Sequence, residues 1–282
     1  MRPLSPYEAS GEGFRLIRRE PKAMIAWSLL WFGTFTSAAW IVAAGKPVAA
    51  HRVGQADTLS GVADRFGPFG GFLVCLFLMV WLVTAVGAFR AVLRPGERRW
   101  FYLRLGADEL RLGILTATAC LVAIPFGGAT AYLVFVVANP FMHLLPEATA
   151  GVGVLATVWL DVWLGVRLSL IAVETFSERR FHLTAYWPVT SGRFWYLLGC
   201  YFIFFLTLLG LTAIFIPVVG LLSRTSVAHV DFMARGGLLL QAGVLTALTS
   251  VYWTLTSTLF YATQAHAFRA IVGEGRDGVA PA

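Results

Sequence analysis

Charged residues are scarce in this chain, and their scarcity excludes an ordinary soluble domain. Asp, Glu, Lys and Arg make up 13% of the 282 residues, whereas a soluble domain carries about 25%. Apolar residues reach 58%. No polar segment is long enough to fold as a second domain, since the longest are residues 1–22 and 46–65. The composition therefore predicts one membrane domain over 1–272 and a disordered tail over 273–282.

Cysteines are few, and the common catalytic motifs are absent. The three cysteines, which lie inside apolar runs where no disulfide framework is expected, are Cys75, Cys120 and Cys200. The sequence has no hydrolase elbow, phosphate-binding glycine loop, HExxH or CxxC motif. Three histidines on separate predicted loops lack the spacing of metal ligands; they are His51, His143 and His229. We therefore predict a non-enzymatic protein with no cofactor and no metal ion.

Long uncharged runs are what the chain has instead. Five stretches of at least 23 residues contain no Asp, Glu, Lys or Arg: 23–45, 66–89, 112–146, 194–223 and 236–268. A sixth, 148–173, is interrupted only by Asp161 and Arg167. Because about 20 apolar residues span a bilayer as a helix, the sequence predicts an all-α polytopic membrane protein with six spans. Their predicted bounds are 23–44, 69–92, 112–138, 151–175, 194–222 and 237–268.

A basic, aromatic segment precedes each pair of predicted spans, which predicts three hairpins with a short amphipathic interfacial helix before each. Ser5-Pro6-Tyr7-Glu8 has the pattern of a helix start and predicts a helix over 6–19, with Tyr7, Phe14 and Ile17 on its apolar side. Residues 98–105 mix arginine with aromatic residues, and 177–193 are similar. Such helices lie in the plane of the membrane surface. Their arginines are candidate contacts to lipid headgroups: Arg18, Arg19, Arg98, Arg99, Arg179 and Arg180.

The positive charges lie mainly on one side of the predicted membrane. Of the 22 Lys and Arg residues, 16 fall on the side that holds both termini and five on the other. Loops rich in Lys and Arg face the cytoplasm, so we expect both termini there. The net charge of +7 also suggests nucleic-acid binding as an alternative. The charges lie beside spans, however, which favours anionic membrane lipids as the partner. A membrane-protein partner and the oligomeric state stay open.

Ionisable residues inside predicted span four are the sharpest candidate for a functional site. A charge at mid-membrane costs about 2.5–3.5 kcal/mol on insertion scales, so it faces protein or water. Asp161, Arg167 and Glu174 form a candidate polar site with Thr254 and Ser257 of predicted span six. One interpretation is a site that grips a lipid phosphate or relays protons. In the other, a carboxylate or a carbonyl neutralises Arg167 and Glu174 lies in water at the cytoplasmic edge.

Thr254 and Ser257 belong to a polar stripe along predicted span six. The stripe consists of Thr246, Thr249, Ser250, Thr254, Ser257, Tyr261 and Gln264. Seven polar residues within one arc of an apolar helix do not face lipid by preference. They either line a hydrated cavity or bond to their own helix and to a neighbour.

One segment carries a family resemblance. Trp187-Pro188-Val189-Thr190-Ser191-Gly192-Arg193-Phe194-Trp195 resembles the W-x-L-T-x-G-x-F-W entry of a group of bacterial six-span inner-membrane proteins. Arg167-Leu168-Ser169-Leu170 resembles a stretch that this group carries in span four. The group includes the membrane domain of some glycerophosphoryl diester phosphodiesterases. Tyr186 stands where the group usually has Ser, and Val189 where it usually has Leu.

The resemblance implies a bacterial inner-membrane protein but no enzyme activity, because hydrolysis in the fused proteins belongs to a soluble barrel that this chain lacks. We therefore expect a lipid- or partner-binding module of the cell envelope. The alternative is a transporter of small solutes or lipids, with a polar site around Arg167 and the stripe of span six.

Overall fold

The structure is a computed structural model that describes most of the two ends of the chain and part of its middle. The described residues are 5–44, 59–97, 99–104, 106–118, 159, 162–163, 165–167, 169–178, 190, 192–227 and 236–277. Over these residues the protein is helical and contains no strand, which confirms the predicted all-α class. Residues 119–138 of predicted span three and about half of predicted span four lie outside the described residues.

Seven helices are numbered in chain order. They are α1 (Pro6–Arg19), α2 (Pro21–Ala44), α3 (Leu59–Leu93), α4 (which includes 107–118), α5 (Ile171–Glu178), α6 (Phe194–Val227) and α7 (Gly236–Asp277). α3 begins inside the predicted loop that precedes span two, and α7 continues into the predicted disordered tail as far as Asp277. Both helices are therefore longer than their predicted spans.

Three of the helices are long and apolar enough to cross a membrane, over Pro21–Ile41, Gly71–Leu93 and Phe194–Leu222. These segments fall on predicted spans one, two and five, so by length and composition the chain is a membrane protein. α7 covers predicted span six and is not among the three. The Thr, Ser and Gln residues of its stripe make α7 less apolar than α2, α3 and α6.

α7 lies at the centre of the described bundle and contacts α1, α2, α3, α5 and α6. α2 and α3 run antiparallel, since Trp27 adjoins Gly87 and Trp31 meets Phe77. α6 and α7 also run antiparallel, as shown by the pairs Tyr201–Phe260, Phe215–Tyr252 and Leu222–Gln241. The most polar of the long helices is therefore surrounded by more apolar ones.

Four rings fill the space between α2, α3 and α7. Trp31, Phe35, Phe77 and Trp253 interlock with ring centroids 5.1 to 6.4 Å apart. Most of the pairs meet edge to face, the geometry that aromatic quadrupoles favour. Trp31 is fully buried. We call these four rings the aromatic centre; it closes this part of the bundle by packing.

α1 has the predicted bounds and docks on the bundle by one of its faces. That face consists of small residues and one leucine: Ala9, Ser10, Gly13 and Leu16. A Cβ atom on Gly13 would lie 2.7 Å from Leu259 Cα of α7, and Ser10 Oγ donates to the Cys200 carbonyl of α6 at 3.2 Å. Of the predicted apolar side, Tyr7 and Phe14 are exposed, whereas Ile17 packs partly against the core. α1 is thus part of the bundle, with its aromatic side turned outward.

The interfacial helix predicted over 98–105 is wrong. Trp100, Phe101 and Tyr102 have φ values of 52°, 57° and 64°, so the chain makes a left-handed turn there. Its cause is tertiary, because distant side chains bind its carbonyls. Residues 98 and 105 and most of the segment 177–193 lie outside the described residues.

Candidate functional site at the basic end of the bundle

The bundle has a basic end, where α2 begins, α3 ends, α6 begins and α7 ends. Arginines with described side chains that lie there are Arg15, Arg18, Arg19, Arg90, Arg94, Arg104, Arg111, Arg193 and Arg269. Most of them, including the exposed Arg19 and Arg269, bind protein groups. Those contacts build the candidate site.

Three of these arginines cap the ends of helices. Arg19 Nη2 donates to the Ala91 carbonyl at 2.9 Å, and Arg269 Nη1 donates to the Val92 carbonyl at 3.4 Å. Arg94 Nη2 donates to the last turn of α5, at the Phe176 carbonyl, at 3.2 Å. The last carbonyls of a helix lack partners within it and carry its negative end. Arg19, a predicted headgroup contact, is therefore engaged with α3.

A buried ion-pair network joins α3 to α4. Arg90 is 3% exposed, and its Nη2 lies 2.7 Å from Glu109 Oε1 and 3.7 Å from Asp108 Oδ2. Arg94 and Arg111 also pair with Asp108, at 3.7 and 3.1 Å. The Arg90–Glu109 contact is ionic and lacks hydrogen-bond alignment, and Arg90 Nε makes no hydrogen bond. A buried pair of this kind leaves a costly charge if either partner is removed.

The left-handed turn is held by side chains from α2 and α3. Trp27 Nε1 donates to the Phe101 carbonyl at 3.0 Å, and Arg90 Nη1 donates to the Tyr102 carbonyl at 3.2 Å. The Tyr102 side chain is buried, and its hydroxyl donates to Glu20 Oε1 at 3.4 Å. A left-handed conformation costs about 1–2 kcal/mol per residue. Such strain persists where the surroundings over-determine it, which is common at ligand-binding sites.

A cavity of about 610 Å³ opens beside this turn. It is lined by Arg90, Gly96, Glu97, Trp100, Tyr102, Leu103 and Arg104. We call it the basic-end cavity. Ligand-binding clefts commonly measure about 300–1,000 Å³, so it is large enough for a small polar group. Arg90 and Tyr102 are the buried parts of its wall, whereas Trp100 is 83% exposed. The wall of the cavity therefore includes both a buried arginine and an accessible indole.

The sequence-predicted polar site is described only in part. Asp161 lies outside the described residues, and so do Arg98, Arg179 and Arg180 and the side chain of Arg99. Arg18 is exposed on α1. Arg167 Cζ lies 5.4 Å from the Trp163 ring and 6.0 Å from the Phe194 ring. Arg167 is thus stacked against the start of α6.

Glu174 does not lie in water. Glu174 is 1% exposed. Neither of its carboxylate oxygens accepts a hydrogen bond from any described group, Arg167 included. The prediction that Glu174 is solvated at an edge is therefore wrong within the described structure. α5 packs against α3 and α7, and this packing is the physical reason for the burial.

The hydroxyls of the α7 stripe bond largely to their own helix. Thr254 Oγ1 donates to the Ser250 carbonyl at 2.8 Å, and Ser250 Oγ donates to the Thr246 carbonyl at 2.6 Å. Thr254 is buried and Ser257 is half-buried. Near the basic end, Gln264 and Ser169 adjoin the Tyr201 hydroxyl, although these groups lack the alignment of hydrogen bonds. The stripe thus takes part in packing along its described length.

Sequence reasoning missed the ion-pair network and the basic-end cavity. It treated Arg90 only as an orientation charge, although Arg90 directly follows the uncharged run 66–89. The neighbouring carboxylates Asp108 and Glu109 were the other available signal, since they follow a run of arginines. Within the described part of the chain, no group of three His, Cys, Asp or Glu side chains is placed to hold a metal ion.

Comparison with known proteins gives no match: no family model, no curated protein and no solved structure matches the chain. The resemblance to bacterial six-span proteins therefore depends on the short motifs of the sequence and stays a prediction.

Proposed function

We propose that the protein is a non-enzymatic, six-span inner-membrane protein, with both termini in the cytoplasm, that binds lipid headgroups at its basic end. Three apolar helices and the clustering of arginines at one end of the bundle support this arrangement. The exposed arginines account for a general attraction to anionic lipid surfaces, worth about 1 kcal/mol for each charge near the membrane.

The basic-end cavity is the observation that carries the proposal. Two arginines line it, the buried Arg90 and the exposed Arg104, and an accessible guanidinium such as that of Arg104 binds phosphate oxygens in a fixed forked geometry. The exposed indole of Trp100 suits the headgroup layer of a membrane, where Trp is enriched. The strained turn that presents Trp100 is the kind of backbone that binding sites retain.

The transporter alternative has less support in the described structure. The aromatic centre closes the bundle between α2, α3 and α7, and the Thr254 and Ser250 hydroxyls donate to their own helix. The buried carboxylate of Glu174 is the one observation that favours it, because ionisable groups within membranes mark proton and ion pathways. Glu174→Gln separates the two functions: a proton-coupled transporter loses transport, whereas a lipid-binding module keeps its bound lipid.

The direct test is lipid retention by the purified protein. The wild type and the Arg104→Gln variant would be purified from native membranes, and native mass spectrometry would measure bound phospholipid. We expect the wild type to retain phospholipid and Arg104→Gln to lose most of it. Arg18→Gln is the matched control, because it removes an exposed positive charge of α1 that does not line the cavity. Equal retention by all three proteins, or none by the wild type, would contradict the proposal.

A further inference from the structure

The walls of the basic-end cavity carry charges of both signs. Arg90 and Arg104 supply positive charge, and Glu97 supplies a carboxylate. We propose that the cavity selects a headgroup that joins a phosphate to a primary ammonium, which is the phosphoethanolamine class. This inference rests on the proposed function and goes beyond it, because the charge count of the sequence indicates only anionic lipids.

The phosphate half of the headgroup fits the arginine side of the cavity. Arg104 is exposed, so its guanidinium is the group that phosphate oxygens can reach. Arg90 is 3% exposed and is paired with Glu109, so it contributes positive charge behind the wall rather than a direct contact.

The ammonium half fits Glu97 and Trp100, which also line the cavity. Glu97 is 44% exposed at its side chain and touches Arg94 only at 3.9 Å, so its oxygens keep accepting capacity. A primary ammonium has three N–H donors for such a carboxylate. The face of an indole attracts a cation as well. A glycerol headgroup offers Glu97 no positive charge, and a trimethylammonium group offers it no donor.

The local chain fixes the position of this carboxylate. The Glu97 N–H donates to the Arg94 carbonyl at 3.0 Å, which closes a turn through Pro95 and Gly96. Arg94 is itself held by the end of α5 and by Asp108. The turn therefore begins at a residue whose side chain is fixed by contacts, and this gives Glu97 a defined position at the cavity.

The test compares headgroups that share the same acyl chains. The full-length protein in detergent would be offered equimolar phosphatidylethanolamine, phosphatidylcholine and phosphatidylglycerol, and native mass spectrometry would count each bound lipid. We expect phosphatidylethanolamine to exceed each of the others about tenfold, the effect of one charge-assisted hydrogen bond. Glu97→Gln should lower phosphatidylethanolamine to the level of the other two lipids, and Arg104→Gln should lower all three lipids.

The outcomes separate this inference from the proposed function. Equal binding of phosphatidylglycerol and phosphatidylethanolamine by the wild type would overturn the headgroup preference and leave lipid binding intact. Absence of every lipid would overturn both.

Soluble phosphoethanolamine and inorganic phosphate form the second arm of the experiment. Tighter binding of the lipid than of soluble phosphoethanolamine assigns the ligand to the membrane, and equal binding assigns it to a soluble compound of the same class. Equal competition by phosphate alone would overturn the role of the ammonium.

Discussion

α1 and the left-handed turn both lie at the basic end, and each leads into a helix of the bundle, yet different forces hold them. α1 docks by close packing, with Gly13 against Leu259 of α7. The turn is held by donors, with Trp27 and Arg90 bound to its carbonyls. The first attachment should be sensitive to side-chain volume and the second to the loss of N–H groups. Two neighbouring parts of one surface can therefore be perturbed independently.

The largest expected effect comes from Arg90→Leu. It removes the donor to the Tyr102 carbonyl and leaves the buried carboxylate of Glu109 without its ion partner. Breaking a buried pair from one side costs about 3–5 kcal/mol. Unfolding in mixed micelles would measure the change in free energy. The double variant Arg90→Leu with Glu109→Leu should recover part of the loss, and an Arg90→Leu protein as stable as the wild type would contradict a buried network.

Gly13→Leu should have the next largest effect, because it tests volume at the α1 attachment. The added Cβ would lie 2.7 Å from Leu259 Cα, and overpacking of this kind costs about 1–3 kcal/mol. Gly11→Leu is the matched control in the same helix, since no heavy atom lies within 4 Å of a Cβ at that position. Limited proteolysis of α1 should rise in the first variant alone. The close packing would be refuted if both variants were cleaved at the wild-type rate.

Trp27→Phe removes the N–H that binds the Phe101 carbonyl and also part of the buried indole, whose six-membered ring adjoins Gly87. We expect a loss of about 1 kcal/mol from the hydrogen bond and a further loss from the cavity that the smaller ring leaves, with lipid binding weakened because the turn loosens. Unfolding in micelles and lipid retention would measure the two effects. Trp195→Phe serves as the control, because that indole is 74% exposed. The same result in both variants would show that Trp27 does not stabilise the turn.

Arg19→Gln should have the smallest effect. It removes one cation from the end of α3, where Arg19 binds the Ala91 carbonyl and Arg269 still binds the Val92 carbonyl. A cation at a helix C-terminus is worth about 0.3–1 kcal/mol. Hydrogen exchange at the last turn of α3 is the measurement, with Arg18→Gln as the control of equal charge. Faster exchange in both variants would show that net charge, rather than capping, stabilises that turn.

The parts of the fold that depend on local sequence were predictable. Ser5-Pro6 marks the start of α1, and the uncharged runs locate α2, α3 and α6. The left-handed turn was not predictable, because its hydrogen bond to Trp27 joins residues 74 positions apart. A run of three aromatic residues flanked by arginines fits a helix as well as a turn. Only the distant partner decides between the two conformations.

The candidate site shows the same division. Composition placed arginines beside the apolar helices but could not tell an exposed Arg18 from a buried Arg90, since burial depends on Glu109 and Asp108 of another helix. Glu174 likewise sits beyond the uncharged part of its predicted span, and its burial follows from the packing of α5 against α3 and α7. The six spans and the orientation stay predictions, and the lipid-binding experiments above address the ligand.

The central position of α7 has a consequence for how the protein is made. Thr258 of α7 contacts Met24 of α2 across 234 residues of chain. At about 5–20 residues per second, the ribosome reaches α7 on the order of 10–50 s after it has made α2. During that interval the inner faces of α1 and α2 have lipid or an insertion chaperone as their neighbour. Translation that stops before α7 thus yields a nascent membrane protein open to proteolytic quality control.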